Sequence, residues 1–535
     1  MPLPSPGIRS MAISIRNAEE RDLDALRALL APVGSDPGGT SGMLEGPAAH
    51  TLLDENAFVI VTEGIPSGRL LGTATVLMQQ ETPETVTGLI TRVATLDVPE
   101  RAEIAAGLVA TALQSLAGNL QNCFAEISSS ALWAQAAFEQ AGFVPCGFLP
   151  SKNAGEPRGN VIVYSHLSPT AHNARRPHPE IVEGAKDIAT ESFHAHGLIE
   201  DIGVRDDATP FPTECDYAVA PIELDAVATI LESRPGQEGE VFAHHQLTST
   251  SLHLPAVPSF LAARDGDKVI GLIGFVHDPF DRRVQVTEIL SLEGEAQGFL
   301  VARLIEDLEA RGNIDFVEVI VSARAPRLQR TFDQVGFVPC AYLPAFGMEN
   351  GQRSDALMLV RLFTSYESDA SPMTSAAKSL FTCVDTVFRE YSVGAAVIKL
   401  LRDLRCFRGL GEGELRRIAR IFSQKLFRPG ETVFEEGTAG RELYVVERGE
   451  IEVRTKDGRV LGSIQSGGIL GEIGFLNGEP RTAGAASKSA TIVRVVTRSD
   501  FDRLIRREPH LGHIFFKNVA LDLAEKLSHS VKSSK

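Results

Sequence analysis

The sequence predicts two α/β (α+β) domains in tandem, followed by an all-β jelly-roll barrel with flanking helices. A segment of thirteen residues, 138–150, recurs with nine identities at 332–344, which indicates an internal duplication. Near the C-terminus, short alternating strands separated by glycines are typical of a small barrel. At 535 residues the chain also exceeds what one hydrophobic core organises, so several domains are expected.

The two copies of the duplicated unit are expected at residues 12–167 and 214–363. Each reads as a strand, a helix, a long variable stretch, a strand pair, a helix, a strand, a helix and a last strand pair. That is the order of an α/β domain with a mixed sheet. In the second copy, residues 260–264 and 269–276 predict a hairpin, and residues 297–309 predict the helix that follows.

The order of elements and the Phe-x-x-x-Gly-Phe ending of each copy, at 138–143 and 332–337, resemble the GNAT acetyltransferase fold. The resemblance implies that an acyl-CoA pyrophosphate would lie on a Gln/Arg-x-x-Gly-x-Gly/Ala loop at the start of the central helix. The first copy has Ile104 at the first glycine position. The second copy keeps Gly298 but begins the loop with Glu295, whose carboxylate repels a pyrophosphate. Both departures argue against acetyl-CoA, which stays an open alternative.

The catalytic residues implied by this resemblance also depart from the pattern. The tyrosine that usually acts as general acid in the family falls on Phe138 and Phe332, and neither ring can donate a proton. Three strand carboxylates are candidate general bases, namely Glu126, Glu288 and Glu318. Each also fits a solvated or salt-bridged strand residue, so the sequence leaves the question of enzymatic activity open.

The barrel is predicted from three alternating stretches, 427–434, 442–447 and 451–454, with turn glycines between them. A cassette follows in which Glu472 precedes Arg481 by nine residues. A carboxylate accepts a hydrogen bond from a ribose hydroxyl, and a guanidinium binds a phosphate in a planar, bidentate way. The pair therefore suits a cyclic ribose phosphate.

Backbone groups of the cassette fit the same ligand. Gly471 and Gly474 allow close approach of the chain, and a turn of helix begun at Ile473 would direct free N–H groups at the phosphate. With these motifs, the stretch from about residue 398 to 527 resembles a cyclic nucleotide-binding domain. The resemblance implies a nucleotide site made of Gly471, Glu472, Ile473, Gly474, Arg481, Thr482 and Ala483.

The same resemblance implies which helices follow the barrel and which nucleotide is bound. A hinge helix at 500–508, capped by Ser499, and a lid helix at 510–527 are expected. Gly484 stands where the family often has Ser or Thr, which disfavours cGMP, and cAMP is favoured on family frequency alone. In a barrel without a ligand, the glutamate and arginine of the cassette would instead form an ion pair with each other.

Two linkers are predicted between the domains. Residues 168–213 contain a helical pattern at 181–198, and residues 364–397 contain another at 373–388. The second linker directly precedes the barrel, so it is a natural place to transmit a lid movement. A plain linker helix is the alternative.

Composition bears on partners and location. The net charge of −17 and the roughly eight residues after residue 527 argue against a DNA-binding surface or a helix-turn-helix. No apolar run is long enough for a membrane span and no secretory signal is evident, so a cytoplasmic protein without membrane contact is expected. The six cysteines have no C-x-x-C spacing, so no metal site is expected.

These expectations give two main hypotheses. The first is a cytoplasmic cyclic-nucleotide sensor whose tandem GNAT-like region is a regulated binding or scaffold module. The second is a cAMP-regulated N-acyltransferase, similar to protein lysine acetyltransferases, that uses an acyl-CoA. A barrel that binds no small ligand and only mediates assembly is a third. The expected partners are a cyclic nucleotide and a protein partner or protein substrate.

Overall fold

The computed structural model describes most of the chain and divides it into two compact units, residues 1–388 and 389–535. The described residues are 13–30, 57–82, 85–153, 155, 158–205, 207–232, 240–242, 258–279, 281–349, 351–364, 366–369 and 371–533. No helix among them is long and apolar enough to cross a membrane.

The first unit is built on one broad sheet, in which the described residues place fourteen strands. The first seven are β1 to β7, at Ile13–Asn17, Ala57–Gly64, Leu70–Thr82, Thr85–Thr95, Leu120–Ser128, Val144–Asn153 and Gly159–Leu167. A separate two-stranded sheet pairs β8 and β9, at Glu180–Ile181 and Gly203–Val204. The second seven strands of the broad sheet are β10 to β16, at Ala218–Ile222, Ser259–Asp265, Lys268–Asp278, Arg283–Ser291, Phe316–Ser322, Val338–Glu349 and Gln352–Leu362.

The two sets of seven strands have the same spatial order. In each set the first five strands lie side by side in chain order, and the seventh comes before the sixth. In each set the fourth and fifth strands pair in parallel, and the other neighbours pair antiparallel. We call the sets, with their helices, the first and the second lobe. The sequence predicted a strand pair before the central helix, whereas the structure has a third strand there, β4 in one lobe and β13 in the other.

The lobes meet edge to edge at the middle of the sheet. Strands β6 and β15 pair there through one residue pair, Gly147 with Ala341. These residues hold the same position in the two similar thirteen-residue segments. A Cβ added to Gly147 would lie 2.1 Å from the Cβ of Ala341, so the junction requires glycine at this point.

The helices of the first unit cover the sheet with apolar faces. In the second lobe, Leu300, Leu304 and Leu308 recur at helical spacing and are buried against Val317 and Val319 of β14. The helix predicted at 181–198 is shorter, because β8 occupies its first residues. The helices are α1 to α8, at Leu23–Leu30, Arg101–Leu116, Leu132–Gln140, Pro169–Ala174, Lys186–His196, Leu224–Glu232, Gln297–Arg311 and Pro326–Gln334.

A long helix, α9 at Ser375–Arg402, contains the boundary between the units and is followed by α10 at Glu412–Ala419. The second predicted linker, 364–397, is therefore helical only from Ser375, and its helix continues past the expected boundary.

In the second unit the core of the barrel is apolar on its inner face, with Val446, Ile451 and Val493 buried together.

Eight strands of the second unit form two four-stranded sheets, in agreement with the predicted jelly roll. They are β17 to β24, at Ser423–Phe427, Thr432–Phe434, Glu442–Arg448, Glu450–Arg454, Val460–Gln465, Ile469–Leu470, Gly484–Ser487 and Thr491–Thr497. A six-residue helix, α11 at Glu472–Asn477, lies between β22 and β23.

Two helices follow the barrel, α12 at Arg498–Arg507 and α13 at Pro509–Ser533. The predicted cap was wrong by two residues, since the Thr497 hydroxyl, not Ser499, accepts a hydrogen bond from the backbone N–H of Asp500. The helix can start earlier because Thr497 still belongs to β24 and has extended backbone.

Candidate functional site

The cassette centres on Arg481, whose side chain is buried within the second unit. Its Nη1 donates to the carbonyl of Gly471 at 3.0 Å. Its Nη2 donates to the carbonyl of Glu442 at 3.0 Å and to the Glu442 carboxylate at 3.1 Å. The guanidinium also lies 4.4 Å from the centre of the Phe434 ring. Arg481 is thus held rigidly at the base of the cassette.

Glycines around this guanidinium leave the space that it occupies. A Cβ at Gly440 would lie 2.1 Å from Nε of Arg481, and a Cβ at Gly471 would lie 2.4 Å from Nη1. Gly471 also has a φ of +82°, in the left-handed region that favours glycine. It caps the start of α11, so the helix begins at Glu472 and not at Ile473 as predicted.

One donor of Arg481 has no acceptor. Nε is buried and makes no hydrogen bond within the described part of the chain. A buried, unpaired N–H of a charged group is costly, so an acceptor is expected at this position. An anionic oxygen would satisfy it.

Among the described residues, no other residue of the cassette forms an ion pair with Arg481. Glu472 is half-buried at the first position of α11, and among the described residues its carboxylate has no hydrogen bond or ion pair. Its ion pair with Arg481, the arrangement expected without a ligand, is absent, because the acidic partner of Arg481 is Glu442. Ile473 and Thr482 are exposed, and Gly474 and Ala483 are buried.

Two residues of this site are not predictable from the sequence. Glu442 was assigned only to a strand, and Gly440 only to a turn. Both contact Arg481 from about forty residues away in sequence, and neither has a pattern that signals the contact.

The cassette is also joined to the C-terminal helices. Arg498, the first residue of α12, donates from Nη1 to the carbonyls of Phe475 and Leu476 at 3.1 and 3.2 Å. These carbonyls end α11, so the guanidinium caps the cassette helix. The same group lies 5.5 Å from the Phe516 ring of α13. One side chain therefore contacts the cassette helix and both helices that follow the barrel.

The three candidate general bases of the first unit lie in two different settings. Glu126 and Glu318 are buried, and the fully buried Lys152 bridges them, with Nζ 2.6 Å from Glu126 Oε1 and 3.0 Å from Glu318 Oε2. Burial, more than the nearby Glu318, raises the pKa of Glu126, although Lys152 opposes this. These two carboxylates are structural ion-pair partners in this arrangement.

Glu288 differs from both. It follows Val286, the last residue of β13 that pairs with β14. Burial raises its pKa, and the described residues provide no ion pair for it. A carboxylate with a raised pKa is a stronger base than an ordinary glutamate, and this one lies where two parallel strands separate.

At the starts of the central helices, the position of the first loop glycine is buried in both lobes. At α7, a Cβ on Gly298 would lie 2.5 Å from the carbonyl oxygens of Phe211 and Pro212, so the chain itself covers this glycine. Glu295 is held by Arg327 at 2.9 Å, which lowers its pKa. In the first lobe Ile104 is buried at the equivalent place. Neither position is thus an exposed glycine that a pyrophosphate could approach closely.

The two phenylalanines at the expected general-acid position belong to the core. Phe138 packs edge to face on Phe143, with ring centres 5.1 Å apart, and Phe332 packs on Phe337 at 4.9 Å. Both are buried.

Within the described residues, no cluster of three or more histidine, cysteine or acidic residues could hold a metal ion.

Comparison with known proteins gives matches in the second unit. Residues 424–508 match the family model described as cyclic nucleotide-binding domain. A cyclic nucleotide-gated channel of Caenorhabditis elegans is 32% identical over 116 residues, 20% of this chain and 16% of the channel. A cAMP-dependent protein kinase regulatory subunit of Yarrowia lipolytica is 32% identical over 115 residues, 21% of this chain and 30% of the subunit.

The chain therefore spans less than a third of the length of either relative. Among solved structures, the catabolite activator protein of Thermus thermophilus is 30% identical, with a TM-score of 0.22, over 24% of this chain and 61% of that protein.

Proposed function

Because residues 424–508 form a cyclic nucleotide-binding domain, we propose that the chain is a cytoplasmic sensor of a cyclic nucleotide, with cAMP preferred to cGMP. The observation that carries the proposal is the buried Arg481 with its unpaired Nε. The cyclic phosphate accepts from this guanidinium. The carboxylate of Glu472 accepts a hydrogen bond from the ribose 2′-hydroxyl. This role is favoured because the carboxylate has no hydrogen-bond partner among the described residues.

The experiment is titration calorimetry of the full chain with cAMP and with cGMP. Arg481→Lys keeps the charge but removes the planar fork, and should weaken binding by about 10- to 100-fold, the loss of one or two charge-assisted hydrogen bonds. Arg494→Lys is the matched control, since Arg494 is equally buried and ion-paired in the same barrel, with Glu447 at 2.5 Å. No heat with either nucleotide, or equal affinities of the two variants, would refute the proposal.

For the first unit we propose two GNAT-like domains, 12–167 and 214–363, joined by 168–213 and followed by the linker 364–397. The recurring strand order and the parallel pairing of the fourth and fifth strands in each lobe support this. The buried glycine positions at the two helix starts favour a binding or scaffold module that the nucleotide regulates. Its partner is then a protein, with no role for DNA.

A cAMP-regulated N-acyltransferase that uses an acyl-CoA is the second candidate, and Glu288 is the observation that favours it. A thermal-shift screen of the full chain with acetyl-CoA, CoA, cAMP and cGMP addresses both units, because a ligand of the folded state raises its melting temperature. A CoA-dependent shift, with acyl transfer to protein lysines lost in Glu288→Gln but kept in Glu126→Gln, would favour the enzyme. Absence of any CoA effect would end this candidate.

A further inference from the structure

The segment before α9 lies against four polar side chains of the first lobe, Ser129, Gln135, Glu139 and Asn160, which we call the crevice. We call the described residues 366–369 and 371–374 the strap. The Asp369 carboxylate accepts hydrogen bonds from the Ser129 hydroxyl and from Asn160 Nδ2, the latter at 2.8 Å. The Thr374 hydroxyl donates to Glu139 Oε1 at 2.5 Å. Every one of these contacts is polar.

The crevice holds the backbone of the strap through one glutamine of α3. The Thr374 N–H donates to Gln135 Oε1 at 3.1 Å, while Gln135 Nε2 donates to the Ser129 carbonyl at 2.8 Å. Gln135 is completely buried, so the position of its amide is fixed by these two bonds.

The second lobe has an equivalent glutamine, which binds a different segment of the chain. Gln329, at the matching position of α8, accepts from the N–H of Val182 at 3.0 Å and donates to the Ser322 carbonyl at 2.9 Å. The occupant here is the segment 180–182, which follows the first lobe in sequence. Each crevice is thus filled by the segment that follows the other lobe.

The two occupants differ in how firmly they are bound. Ile181 and Val182 are 0% and 4% exposed and belong to the apolar core of the second lobe. The described strap residues are all half-buried or exposed. The strap also contacts α9, where the Tyr366 ring stacks on Phe388 at 4.9 Å and its hydroxyl donates to Asp385 at 2.6 Å. The contacts described above between the strap and the first lobe are polar, so this segment should leave the lobe at a lower cost than a segment that belongs to a core.

The strap can also open without moving its flanks. Before it, β16 ends at Leu362 in the sheet. After it, Ala377, Leu380 and Val384 of α9 are buried, and Phe381 packs on Phe148 of the first lobe at 4.9 Å. Opening therefore frees only a short loop that is fixed at both ends.

We propose that the strap is a releasable occupant of a peptide-docking crevice on the first lobe, whereas segment 180–182 is a permanent part of the second lobe. The open crevice presents donors at Ser129 and Asn160 and acceptors at Gln135 and Glu139. These groups fit an extended segment with a carboxylate and, five residues later, a hydroxyl. The strap itself is the resident ligand of this class, and the inference holds with or without the nucleotide function proposed above.

Hydrogen exchange of the full chain, read by mass spectrometry, tests the release. The N–H groups of Ser371 and Thr374 should exchange at least about tenfold faster than those of Glu180 and Val182, although all four are hydrogen-bonded. Equal, slow exchange in both segments would overturn the proposal.

A matched pair of variants sharpens this test. Gln135→Leu should speed exchange in the strap and lower the melting temperature less than Gln329→Leu does, because the N–H of Thr374 can turn to water when the strap opens. Gln329→Leu should lower the melting temperature clearly, because it leaves the N–H of Val182 unpaired in the core. An equal drop in both variants would show that the strap is as permanent as segment 180–182.

Binding of a labelled peptide with the sequence of residues 366–375 tests the docking class. Fluorescence anisotropy should show binding to full-length Asp369→Ala/Thr374→Ala, weaker binding to wild type, and none when Gln135→Leu is added. Exchange in the sheet strands verifies that each variant is folded. If the peptide binds none of the folded variants, or binds all of them equally, the crevice is not a docking surface.

Discussion

Replacing Lys152 by methionine tests whether the buried ion pairs stabilise the junction of the lobes. Lys152 lies on β6, and it bridges Glu126 of its own lobe and Glu318 of the other. All three side chains are at most 6% exposed. The substitution keeps the volume of the side chain and removes the cation, so two buried carboxylates lose their shared partner.

Leaving a buried charge without its partner costs about 3–5 kcal/mol. For a unit of 388 residues that loss corresponds to a decrease in melting temperature of about 4–6 °C. Lys268→Met is the matched control, because Lys268 forms an ion pair of the same length, 2.6 Å to Glu293, but both side chains are at least half exposed. Exposed pairs contribute less than about 1 kcal/mol, so the control should change little.

The dependence on pH gives a second reading of the same variant. Lys152 opposes the rise in the pKa of Glu126, so its removal raises that pKa further. When the pKa of a carboxyl group is raised in the folded state, the folded protein becomes less stable as the pH increases through that pKa. The deficit of Lys152→Met should therefore grow as the pH rises above about 4.5, the ordinary pKa of a glutamate, measured by thermal denaturation of both proteins.

Two results would contradict this reasoning. One is a loss no greater than that of the Lys268 control, and the other is a deficit that does not change with pH. The triple variant Lys152→Met, Glu126→Leu, Glu318→Leu should recover part of the stability, because it removes both carboxylates that have lost their cation. The recovery is partial because the buried Arg283 also interacts with Glu126 and Glu318, and it then retains Asp278 and Asp281.

Three further predictions concern other parts of the chain. Gly471→Ala should weaken nucleotide binding by about tenfold or more in calorimetry, whereas Gly458→Ala, with a similar φ of +87° and no atom within 4 Å, should leave it unchanged. Arg498→Ala should preserve nucleotide affinity but abolish any nucleotide-dependent change in hydrogen exchange of α12 and α13; persistence of that change would exclude Arg498 as the connection. Burial lowers the pKa of His196 to about 4, so the folded state resists its protonation and stability should fall by up to about 3 kcal/mol as pH drops from about 6.5 to 4. His196→Gln should flatten that part of the denaturation profile, and an unchanged slope would assign it to other groups.

The cassette shows which parts of a site are visible in a sequence. Glu472 and Arg481 belong to one short stretch whose residue types suit the proposed ligand, so the sequence alone suggests both. Glu442 was not predicted, because it reaches Arg481 through strand pairing, and that contact exists only after the barrel has closed. The cap of α12 was misplaced because Thr497 and Ser499 are both good caps, and only the end of β24 decides between them.

The first unit shows a different limit. Alternation of apolar residues predicted the hairpin of β11 and β12, and helical spacing predicted α7. The sequence did not predict that the carbonyl groups of Phe211 and Pro212 cover Gly298, because this contact depends on the path of a linker almost ninety residues earlier. The pairing of Lys152 with a carboxylate of the other lobe has the same origin, since it arises from how the lobes meet.

The single residue pair at the junction also bears on the twist of the sheet. Neighbouring strands rotate by about 20–25° on average, and open sheets of more than about ten strands tend to curl or split. Fourteen strands paired along their whole length would accumulate more rotation than helices on their faces could follow. Because β6 and β15 are joined only at Gly147 and Ala341, each set of seven strands can keep its own coiling. A larger residue at Gly147 should therefore act on the angle between two seven-stranded plates while leaving the strands inside each plate unchanged.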